Sequence, residues 1–93
     1  TAANYHTLPT AVAGLQFEFI VQDADGMRIV AGASDTIRVI DKVTAAAGYI
    51  ESTTIGSVVR LLAINATEWM ATSIHGVFTD GTFTYDDTGN TSP

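Results

Sequence analysis

The sequence predicts an all-β fold, a small antiparallel β-sandwich or β-barrel, on three observations. Apolar residues recur at every second position over short stretches, which is the period of a strand with one buried face. Turns rich in Gly, Asp and Asn separate those stretches at close, regular intervals. The one run that suits a helix, Ala45-Ala46-Ala47, stops at Gly48 before a stable helix can form.

The strands follow in order. Leu15, Phe17, Phe19 and Val21 alternate with Gln16, Glu18 and Ile20, so the first four are expected on the buried face. Asp23-Ala24-Asp25-Gly26 then reads as a hairpin turn, because Asp-Gly tolerates the backbone that such turns need. Met27 to Ala31 and Thr36 to Ile40 are strands separated by the turn Gly32-Ala33-Ser34-Asp35. Lys42 to Gly48 is a loop, after which Tyr49 to Thr54 resumes strand character. Gly56 and Ser57 break the pattern before Val58 to Ile64. The turn Asn65-Ala66-Thr67 leads into Glu68 to Ile74. Past Gly76, Val77 to Thr79 and Thr82 to Tyr85 flank an Asp80-Gly81 turn. Trp69, the single tryptophan, is expected in the core near Phe17 or Phe19. The 93 residues therefore divide into an N-terminal arm and lead-in over 1–14, a single β domain over 15–85, and a mobile polar tail over 86–93. Tyr5 and Leu8 anchor the arm and are expected to contact a neighbour.

The strand Val58 to Ile64 is apolar on both faces. Val59, Leu61 and Ala63 fall on one side; Val58, Leu62 and Ile64 fall on the other, beside Arg60. Two arrangements satisfy that pattern: burial by the domain's own layers, or burial of the second face by an identical subunit. The second makes Val58, Arg60, Leu62 and Ile64 an oligomer interface.

Composition excludes several functions. Ten acidic residues face four basic ones, for a net charge of −6, and Arg28, Arg38, Lys42 and Arg60 form no run. Binding to nucleic-acid phosphates needs clustered cations, so no nucleic-acid partner is expected. Charged residues make up 15%, against about 25% in typical domains, which leaves more neutral surface for a partner. Without cysteine there is no disulfide, thiolate metal site or thiol nucleophile, which suits a cytosolic chain or a particle assembled in a bacterial cytosol. No signal peptide is visible. No apolar run approaches the roughly 20 residues of a membrane-spanning helix.

No constellation for catalysis, cofactor or metal emerges. The Asp23 turn lacks the later oxygen ligands of a calcium loop, since Met27 and Ser34 stand at those positions. Asp80, Asp86 and Asp87 read as solvated turn and tail residues rather than a cation site. His6 and His75 lack metal-ligand spacing, and no nucleophile elbow is present. Glu18, Glu51 and Glu68 read as exposed strand residues rather than a glycosidase pair. Asn65-Ala66-Thr67 and Asn90-Thr91-Ser92 match the glycosylation pattern, but no secretion signal supports it. The chain is expected not to be an enzyme and to bind no cofactor.

Three stretches carry a resemblance: LPTAVAGLQFEFIVQDADGMRI, GASDTIRVI and GYIESTTIGSVVRLLAINATEWMATSIHG. With their Leu-Pro lead-in, Asp-Ala-Asp-Gly turn and Ala-Ile-Asn-Ala-Thr-Glu-Trp turn, they resemble a domain recurrent in structural proteins of tailed-bacteriophage virions. The chain departs from that pattern over Val39 to Val43, where a Gly-containing turn is typical. The resemblance implies a non-enzymatic virion component, often trimeric. It further implies a capsid decoration (cement) protein on the outer capsid surface, with the major capsid protein and two identical subunits as partners. The alternative it leaves open is a head-fibre or tail-fibre domain that adheres to a host surface, with Trp69, Tyr49 or Tyr85 as exposed platforms.

Overall fold

The computed structural model describes residues 4–80 and 82–86. They form β1 (Asn4–Thr7), β2 (Gln16–Ile20), β3 (Met27–Val30), β4 (Thr36–Val39) and β5 (Lys42–Val43). Next come β6 (Tyr49–Ser52), β7 (Val58–Ala63), β8 (Glu68–His75), β9 (Val77–Thr79) and β10 (Thr84–Asp86). No helix occurs among the described residues. Two five-stranded sheets result, in the orders β1-β3-β6-β9-β10 and β2-β7-β8-β4-β5. The first sheet contributes Met27, Ile29, Ile50 and Phe78 to the core. The second contributes Ile37, Val39, Val59, Leu61, Ala63 and Trp69. This is the all-β class that the alternating pattern predicts.

Pairing departs from the antiparallel expectation. β1 runs parallel to β3, with Tyr5 beside Arg28, and β4 runs parallel to β8, with Ile37 beside Trp69. Both sheets are therefore mixed. The cause lies in the connections, because the chain crosses between the sheets rather than folding back beside itself. The Asp23 turn shows this. The Asp23 carboxylate accepts the Asp25 N–H at 2.9 Å, its carbonyl accepts the Gly26 N–H at 2.9 Å, and Gly26 has φ +88°. The turn is tight, but it carries the chain from β2 in one sheet to β3 in the other. The expected hairpin is replaced by a crossover, which sets the apolar faces of β2 and β3 on opposing layers.

Residues 4–14 are not an arm. Asn4–Thr7 is a strand of the first sheet, and Leu8 and Ala11 lie in the core. The Leu8 N–H donates to the Val30 carbonyl at 2.8 Å, and the Ala11 N–H donates to the buried Asp35 carboxylate at 2.9 Å. Leu8 is thus spent inside its own domain and has no side-chain surface for a neighbour. Tyr5 stays 61% exposed on the first sheet's outer face. At the other end, β10 reaches Asp86, and the rest of the expected tail lies outside the described residues.

Two further departures have local causes. β5 turns part of the expected loop into a two-residue strand against β4, with Arg38 opposite Val43. In β8 the register slips, so that Arg60 faces Ser73 while Leu61 faces Ala71. Thr72 is the extra residue of a β-bulge, and the slip lets Ala71 and Ile74, three apart, both be buried. β8 then passes into β9, in the other sheet, through Gly76 alone.

Candidate functional site

The outer face of the second sheet brings apolar and charged side chains together. Cross-strand pairing aligns Gln16, Leu62 and Met70 in one row, Glu18, Arg60 and Ser73 in the next, and Ile20, Val58 and His75 in a third. Val58, Leu62 and Met70 are half-buried, and Ile20 is 53% exposed. Arg60 stands 3.6 Å from Glu18. Further along, the Arg38 Nε donates to Glu68 at 2.6 Å. The result is two apolar patches, Leu62 with Met70 and Ile20 with Val58, separated by the Glu18–Arg60 pair. Such exposed pairs contribute little to stability, so their effect here is to leave the face nearly neutral.

The structure thus places three of the four expected interface residues, Val58, Arg60 and Leu62, side by side on this face. Ile64 follows one position beyond β7 and is 40% exposed. Of the two arrangements the sequence allowed for β7, burial of both faces by the domain's own layers does not occur. Only Val59, Leu61 and Ala63 are enclosed. Sequence reasoning missed Ile20 and Met70 as members of the face. Strand pairing brings them there, and their own alternation carried the signal.

The opposite outer face holds a second cluster. Arg28 lies 4.0 Å from the Tyr49 ring centre and 4.9 Å from that of Tyr5. Its Nε donates to Glu51 at 2.6 Å. The hydrogen bond to the Glu51 carboxylate raises the guanidinium pKa above its ordinary value, against the opposing effect of burial. The rings and the charge satisfy one another, so the cluster is a cross-strand clasp over β1, β3 and β6. All three arginines are matched by glutamates, which leaves none of them a free charge for a phosphate.

The other candidates resolve into structure. Trp69 is 0% exposed, with the Phe17 ring 5.7 Å away, as expected for a core residue. Tyr85 is half-buried and donates its hydroxyl to the Ile74 carbonyl at 3.2 Å. His6 rests against Phe19, ring centres 5.5 Å apart. Asn65 accepts the Thr67 N–H at 2.8 Å, closing the β7–β8 turn. No group of three or more His, Asp or Glu residues that could hold a metal ion occurs among the described residues. Asp87 and the Asn90 motif lie outside them.

Asp80 organises the β9–β10 turn. Partial burial pushes its carboxyl up. Hydrogen bonds from the Phe83 N–H at 2.8 Å, the Thr82 N–H at 2.7 Å and the Thr82 hydroxyl at 2.7 Å outweigh that effect and hold it below its ordinary 3.8. A depressed carboxyl stabilises the fold above its unfolded value and loses that contribution as pH falls through the folded one. Acid should therefore loosen this turn below about pH 3.8. Acid titration of an Asp80→Ala variant, followed by circular dichroism, should show a shallower loss of stability over that window than the wild type.

No family model, curated protein or solved structure matches this chain. Fold and surface alone define its class: a two-sheet β domain with an open, nearly neutral face of apolar patches and paired charges.

Proposed function

We propose that the chain is a structural domain of a bacteriophage virion, a capsid decoration protein that docks on the outer head surface and stabilises the shell. The observation that carries this reading is the open outer face of β2, β7 and β8, with Leu62 and Met70 adjacent on it. A part that binds only the assembled lattice stabilises that lattice by mass action, without any chemistry of its own. Burial of a broad face whose charges are already paired supplies the needed contact. The sequence resemblance supports the virion setting. The fibre alternative loses its principal platform, because Trp69 is enclosed.

The test is co-sedimentation with expanded empty heads of the encoding phage. The wild-type chain should pellet with them. Leu62→Asp, which places a charge at the centre of a half-buried position, should remain in the supernatant while its melting temperature falls by only a few degrees. A wild-type chain that stays soluble beside intact heads overturns the reading.

A further inference from the structure

The two sheets present four edge strands: β1 and β10 in the first, β2 and β5 in the second. An open edge invites pairing with another chain, and proteins usually blunt it with brevity, proline, lysine or a bulge. Three of these edges are blunted. β5 has two residues, one of them Lys42. β10 has three and ends on Asp86. β1 has four and runs into Leu8-Pro9. β2 is different: five residues, with no proline, no lysine and no bulge. Its only charge, Glu18, points to the outer face beside Arg60.

The side chains of β2 add a second observation. Leu15, Phe17 and Phe19 share a face with the buried Ala63, Leu61 and Val59 of β7. Yet Phe17 is 38% exposed, and Leu15 is also open. The inward row of β2 overhangs the core and lines a groove of about 360 Å³ between β2 and β1. An apolar row and an unblunted edge thus coincide on one strand.

From this coincidence we infer that β2 is a pairing edge and that its occupant is β2 of a second copy, antiparallel, with Phe17 on the two-fold axis. The backbone fits. Leu15 accepts from the Ala63 N–H, and Val21 donates to the Ser57 carbonyl, so odd-numbered residues spend their backbone groups on β7. Strand alternation then aims the N–H and C=O groups of Gln16, Glu18 and Ile20 outward. Among the described residues nothing donates to or accepts from them there. The register follows from charge. Centred on Phe17, Gln16 meets Glu18 of the second copy and Leu15 meets Phe19 of the second copy, so amide faces carboxylate and apolar faces aromatic. Centred on Glu18, the two carboxylates would oppose one another, which destabilises a pair. Centred on Phe19, Glu18 would oppose Ile20. Of these three registers the Phe17 one matches every row, and it continues the second sheet across both copies.

The chain has no native cysteine, so single-cysteine variants report the register directly. In the Phe17 register, residue 17 faces its own copy at a non-hydrogen-bonded position, with Cα atoms about 4.5 Å apart, within disulfide reach. Mild oxidation of Phe17→Cys should give a covalent dimer of about 20 kDa, twice the 9.8 kDa chain. Glu18→Cys should stay monomeric on the same gel. Light scattering of the unmodified chain should also give about 20 kDa. Glu18→Pro removes an outward N–H without touching a bond to β7, and should restore a 9.8 kDa species with an unchanged β spectrum. Cross-linking of Glu18→Cys in place of Phe17→Cys overturns the register. A monomeric wild type, or an oligomer of any size that Glu18→Pro leaves intact, overturns the edge pairing. None of these measurements involves a capsid, so they succeed or fail independently of the decoration reading.

Discussion

Trp69→Ala should lower the melting temperature by well over ~10 °C, whereas Trp69→Phe should melt within several degrees of the wild type. Trp69 is fully enclosed between the sheets, with Phe17 against it. Truncating a buried tryptophan to alanine costs about 3–5 kcal/mol. A 93-residue domain holds roughly 5–14 kcal/mol in total, so that loss removes much of its stability. Phenylalanine keeps most of the ring and sheds one liability. The indole Nε1 is buried and has no hydrogen-bond partner among the described residues. An unsatisfied buried donor costs about 1–3 kcal/mol, and removing it offsets part of the lost volume. Urea denaturation of both variants separates the two effects. Equal losses for Phe and Ala would show that indole volume, not the orphaned N–H, governs the site.

Gly76→Ala should lower the melting temperature by more than 10 °C, a drop that corresponds to a cost of roughly 3 kcal/mol. Gly76 is the whole connection between β8 and β9, and it turns there with φ +102°. An added Cβ would run into Ser57, which is itself buried and accepts the Val77 N–H at 3.1 Å. The substitution would therefore strain the backbone and displace the residue that pins the corner. Gly56 supplies the control. Its φ is also positive, at +92°, but nothing lies within 4 Å of where a Cβ would stand. Gly56→Ala should cost only the backbone term, about 1 kcal/mol. Similar losses at both sites, read by calorimetry, would remove the collision with Ser57 as the cause.

The strands themselves were legible because alternation is a local signal. Val59, Leu61 and Ala63 show it, and all three are buried. Three features were not legible. Period two says which residues share a face, but not how far the opposing sheet extends. Leu15 and Phe17 therefore look like core in the sequence and stand half-open at an edge. The Asp23 turn has hairpin chemistry, yet turn residues specify local backbone and not which strand the next one pairs with. The bulge at Thr72 leaves no mark in the letters, because Ser73 and Ile74 exchange faces only once β8 is laid against β7. As for the candidate face, Val58, Arg60 and Leu62 were visible within one strand. Ile20 and Met70 join them only through pairing between distant segments.

The strand order also governs when the chain can fold as it is synthesised. β4 lies between β5 and β8, and β2 is joined to its sheet only through β7. Until residues near Trp69 and His75 have left the ribosome, no β7–β8 pair links β2 to β4, and their apolar faces stay wet. Long-range closure of this kind is slow, because the loops must be ordered before the contacts reward them. The nascent domain therefore depends on its last third, and a ribosome stalled before β8 would hold an exposed, chaperone-binding chain rather than half a sandwich.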